Sequence, residues 1–160
     1  MQKKWLQTVP WDSVLTVNKA LCLAQELEPT TKARNLDAAR GLWETTMPRS
    51  LSLKEVLDVC RECHELSPFT FNNGNTFAAL GRTIIEEWTK PLPPVEAQIA
   101  QTTVSHYIAG TIGRRELLQV LKHFKQNSNP APVRQAPVRQ ETPVSRATSL
   151  PVLSEAQPHA

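Results

Sequence analysis

The sequence predicts an all-α protein: a compact bundle of about six short helices followed by a disordered, proline-rich C-terminal tail. Three observations carry this expectation. Apolar residues recur at intervals of three and four through most of the chain up to Lys125. Prolines and glycines fall between those stretches and punctuate them. Beyond Gln126 the composition turns abruptly to proline, valine, arginine and glutamine, with few large apolar groups to offset chain entropy. The division expected is a helical domain over 1–127 and a disordered tail over 128–160.

The clearest helix runs from Ser52 to Leu66. Ser52 and Glu55 have capping-box spacing, and Leu53, Val56, Leu57, Cys60, Cys63 and His64 recur on one face. Around it the other elements follow in order. Met1–Trp11 holds Trp5, Leu6, Val9 and Trp11 and reads as a strap laid on the domain. Asp12 or Ser13 is placed to cap a first helix that Pro29 closes near Glu28, and a second runs from Thr30 or Thr31 to Thr46 before Pro48. Ser67–Asn75 is rich in turn formers; the expectation is a loop whose phenylalanines tuck under the bundle, with Asn75 capping a fourth helix through Phe77, Leu80, Ile84, Ile85 and Trp88. Pro91, Pro93 and Pro94 make an elbow. A fifth helix then runs from Val95 to Ala109, with Val95, Ile99, Thr103 or Val104, Tyr107 and Ile108 as its inward stripe. The sixth, Arg114–Lys125, turns Leu117, Leu118, Val120, Leu121 and Phe124 inward.

The formal net charge of +3 and a pI near 8.9 tolerate nucleic acid without requiring it. Three cysteines leave no paired disulfide framework, and with no leader visible the chain reads as cytoplasmic. No apolar run approaches the roughly 18 residues of a membrane span, so no membrane partner is expected.

Cys60, Cys63 and His64 spell C-x-x-C-H, a c-type haem attachment pattern for which Met47, His106 or His123 would be the second ligand. Zinc would draw its fourth ligand from Cys22, His106 or His123. Both thiols continue an apolar stripe, however, and cysteine in such a place is a small buried hydrophobe. Asp58, Glu62 and Glu65 make the surroundings acidic, unsuited to a reactive thiolate. With no Gly-rich phosphate loop and no G-x-S-x-G, the expectation is a protein without cofactor, metal or catalytic residues.

Two binding readings remain. Gln101–Gly110 resembles the recognition helix and glycine exit of repressor-type helix-turn-helix proteins, and Arg114–Phe124 resembles the helix that follows. The resemblance covers about 24 residues; it implies DNA as partner, with Gln101, Thr102, Ser105 and His106 on bases and Arg114 and Arg115 on phosphates. It departs from the family at Pro91, Pro93 and Pro94, where the preceding helix belongs, and at Gln98, where the turn glycine is usual. The other reading is a non-enzymatic protein-interaction module, an adaptor or accessory subunit. Its tail repeats Ala-Pro-Val-Arg-Gln, and Pro132, Arg134, Pro137, Arg139, Pro143 and Arg146 form a candidate linear motif for a partner protein. The central helix nets about −2 and Arg114–Lys125 about +3, an asymmetry suited to docking opposite faces.

Overall fold

The structure is a computed structural model that describes residues 2–127, with side chains to residue 125. The expected tail over 128–160 and its candidate linear motif therefore lie outside the described residues. Six helices are present among those described: α1 Trp11–Ala24, α2 Ala33–Thr46, α3 Leu53–Leu66, α4 Asn73–Thr89, α5 Pro94–Ile108 and α6 Arg114–Asn127. A two-residue antiparallel pair, β1 Gln2–Lys3 with β2 Leu51–Ser52, precedes α3. The all-α bundle is as the periodicity predicts.

α3 packs against α2, α4 and α5, while α4 also packs on α1, and α5 carries α6. The capping box is complete: Ser52 Oγ accepts from the Glu55 amide at 3.3 Å, and the Ser52 amide donates to Glu55 Oε2 at 2.7 Å. Glu55 is held below the usual carboxylate range chiefly by its hydrogen bonds with Ser52. The strap is as expected, with Trp5, Leu6, Val9 and Trp11 buried. An aromatic chain crosses the core from Trp11 to Trp43 to Phe77 to Phe69, each centroid 6.2–6.3 Å from the next.

Several boundaries differ from expectation, each for a visible reason. α1 begins at Trp11 after Pro10, whose extended backbone serves as N-cap without any side-chain cap from Asp12 or Ser13. It ends at Ala24, four residues early, because Glu26 turns left-handed (φ 56°) and the Leu27 amide closes back on the Cys22 carbonyl at 2.9 Å. α2 starts late because Thr30–Lys32 is extended and bonded to 68–70. There the Lys32 amide donates to Pro68 O at 2.9 Å and the Thr70 amide to Thr30 O at 3.0 Å. α4 starts at Asn73, not after Asn75, following a left-handed Asn72 (φ 62°). Asn73 brackets Phe69, accepting from its amide at 2.9 Å and donating to its carbonyl at 2.8 Å. Phe69 is buried as expected, but Phe71 points out.

α4 and α5 meet closely at Gly81. A Cβ there would overlap Ile108 Cδ1 and reach Val104 Cγ1 at 3.2 Å, both in buried side chains. A Cβ on Gly41, mid-helix in α2, would meet nothing within 4 Å among the described residues. Two glycine-to-alanine changes should thus move stability in opposite directions. Gly81→Ala is expected to cost about 1–3 kcal/mol by overpacking, and Gly41→Ala to add about 0.5–1 kcal/mol through helix propensity. Urea denaturation of the two variants checks the signs.

Candidate functional site

The haem or zinc constellation can be placed directly. Cys60 and Cys63 are fully buried in the core stripe of α3, among the residues that pack against α2, α4 and α5. Burial pushes the Cys60 thiol well up, with Cys63 adding to it, and raises Cys63 to about 12, with Glu62 contributing. The Cys63 thiol donates a long hydrogen bond to the Ala39 carbonyl, 3.8 Å away. His64 is half-buried beside Gly74, and its Nδ1 has no hydrogen-bond partner among the described residues. Cys22 is buried elsewhere, between Asn18 and Asn72. Haem attachment needs both sulfurs on an open face, and these face the core; the residues do not fit the group. Among the described residues no three His, Cys, Asp or Glu side chains gather in a metal-holding arrangement.

The DNA-reading set is divided by the structure. α5 is one unbroken helix from Pro94, so Gln101 stands in its middle rather than after a turn. Gln101 and Ser105 lie half-buried on the flank facing α4. Gln101 shares a surface cleft with Arg82 and Glu86, and Ser105 Oγ accepts from Arg82 Nη1 at 2.8 Å and donates to the Gln101 carbonyl at 2.9 Å. Thr102 and His106 are exposed on the outer face, His106 Nδ1 lying 2.9 Å from Thr111 Oγ1. Arg114 is turned away from them to Asp58, and Arg115 is exposed.

That Arg114 contact belongs to a polar clasp between α3, α5 and α6. Asp58 Oδ1 accepts from the Tyr107 hydroxyl at 2.5 Å, and Oδ2 accepts from Arg114 Nη2 at 2.9 Å with Lys54 Nζ at 3.5 Å. Arg61 lies over the Tyr107 ring, 4.9 Å from its centroid. It binds Glu65 Oε1 at 3.0 Å and donates to the Ile112 carbonyl at 3.3 Å. The acidic and basic helices thus meet within one chain, and part of their charge asymmetry is compensated internally. Periodicity could not show this pairing; the one signal was opposite charge on elements far apart in sequence.

The outer face of α5 differs from the sequence expectation. Val95 and Ile99, assigned inward, are 71% and 47% exposed. The face that packs on the bundle is Ala100, Val104, Tyr107 and Ile108, and α5 is apolar on both sides. Leu118 of α6, also assigned inward, is exposed. No described helix is long and apolar enough to cross a membrane. Comparison with protein-family models, with curated protein sequences and with solved structures gave no match.

Tyr107 is the protein's one tyrosine. Burial, then the bond to Asp58, raises its hydroxyl to about 12. The folded state keeps this proton where the unfolded chain, near the ordinary value of about 10, releases it. The stability it contributes is therefore complete below about 10 and is lost as pH rises toward 12. Absorbance titration of the single phenol should give a midpoint near 12, and a midpoint near 10 would contradict the clasp.

Proposed function

We propose that this chain acts by contact rather than catalysis, as a helical protein-interaction module whose docking surface is the outer face of α5. One observation supports it above others: Val95 and Ile99, one helical turn apart, stand exposed on a face that Thr102 and His106 extend. That face is also poor in charge, for Glu96 is the one charged residue of α5. Depletion of charge around exposed apolar side chains is the compositional mark of an interface core. The occupant proposed is a partner protein presenting an apolar stripe, docked as a helix against α5. The residues beyond 127, with Pro132, Arg134, Pro137, Arg139, Pro143 and Arg146, are proposed to reach a second partner and raise effective concentration.

DNA reading through the same helix has less behind it. Phosphate contacts dominate affinity for DNA, yet α5 carries no lysine or arginine and Arg114, one of the two arginines expected on phosphates, is bound to Asp58. The two readings separate in one experiment. The full chain carrying a photo-crosslinking residue at Thr102 should, in its native host, form a discrete protein adduct. Val95→Glu with Ile99→Glu should abolish that adduct and shift stability by less than about 0.5 kcal/mol, as exposed positions do. A nucleic-acid adduct that weakens steeply with salt, or an adduct indifferent to the two substitutions, would refute the docking reading.

A further inference from the structure

The amino-terminal strap is tied at both ends. Trp5 Nε1 donates to the Leu51 carbonyl at 2.8 Å beside the β1–β2 pair, and Trp43 Nε1 donates to the Val9 carbonyl at 2.9 Å. Between these ties Leu6 is buried, and two tight backbone bonds, Gln7 amide to Lys4 carbonyl (3.2 Å) and Val9 amide to Leu6 carbonyl (3.0 Å), bend the strap into an arch. The arch and the second half of α4 enclose a cleft of about 480 Å³. That size falls in the range of small-molecule sites, roughly 300–1,000 Å³.

Two chemistries line this cleft. Trp5, Val9 and Ile84, each nearly buried, give it an apolar floor. The rim is a set of donors: the Lys3 ammonium lies 4.3 Å from the Trp5 ring centroid, and Lys4, Gln7 and Thr8 have no side-chain partner among the described residues. Glu87 is the one carboxylate in the lining, and Lys90 already binds it. A cationic ligand would therefore have to displace an existing pair. A phosphate would find neither an arginine fork nor a helix N-terminus here, since Ile84 and Glu87 lie in the last two turns of α4. What matches ammonium, hydroxyl and amide donors above an aromatic floor is a single planar anion on an apolar body.

We propose that this cleft binds a small organic carboxylate, its carboxyl group between Lys3 and Lys4 and its apolar body against Trp5 and Ile84. The site is separate from α5 and does not depend on the docking reading above. The test titrates phenylacetate, and phenylacetamide as its neutral match, into the full-length protein while amide resonances are followed by NMR. Saturable shifts confined to Lys3–Val9 and Thr83–Glu87 are expected, with phenylacetamide at least fivefold weaker. Lys4→Gln, at an exposed and unpartnered position, should weaken phenylacetate at least fivefold and leave the urea midpoint unchanged. Thr83→Phe, on the exposed wall of the cleft, should fill it and abolish the shifts. Shifts elsewhere, no saturation, equal affinity for the amide or indifference to Lys4→Gln would overturn the assignment. Tighter binding of a peptide ending in phenylalanine with a free carboxyl group would overturn it too, in favour of a protein terminus.

Discussion

The bundle depends on burial of the inner stripe of α3. Val56, Leu57, Cys60 and Cys63 have no exposed surface, and three helices pack around them. Deleting a buried side chain of this size costs the transfer energy and leaves a cavity as well. These positions therefore demand small to medium apolar groups, and a thiol serves as one. The same helix turns Asp58 and Arg61 to its edge, where Tyr107, Arg114 and the Ile112 carbonyl meet them. One element thus fills the core and orients α5 and α6. The consequence is chemical: the thiols of the C-x-x-C-H pattern are shielded and held protonated.

Much of this could be read from sequence where the governing interactions are local. The capping box at Ser52 and Glu55, the elbow at Pro91–Pro94 and the glycine exit at Gly110 are short-range effects, and the helices they bound stand where periodicity places them. The failures lie where a distant partner decides. Thr30–Lys32 is extended because residues 68–70 offer it backbone bonds, a pairing that local propensity cannot reveal. Asn18 is buried because it donates to the Phe71 carbonyl at 2.9 Å and to Thr76 Oγ1 at 3.0 Å, partners more than fifty residues away. The inward assignment of Val95 and Ile99 failed for another reason. A helix apolar on two sides supports two stripes, and sequence does not say which one the bundle covers.

The two candidate surfaces lie where the core leaves side chains uncovered. Ala97, Ala100, Val104 and Ile108 pack inward with the bundle, so Val95 and Ile99 remain outside without a described neighbour to cover them. On the strap, Trp5 gives its indole N–H to the Leu51 carbonyl and, with Lys3 and Lys4, lines the cleft beside α4. Both are proposed as recognition surfaces, one an uncharged helix face and the other a set of donors above an aromatic floor.

The inward seating of the α3 thiols is the claim from which these conclusions derive, and thiol labelling tests it most directly. Native protein treated with a small alkylating reagent should modify Cys60 and Cys63 no faster than global unfolding allows, and full labelling should appear only in denaturant. Rapid native-state labelling of Cys60 or Cys63 would contradict the packing of the central helix and return both residues to consideration as ligands.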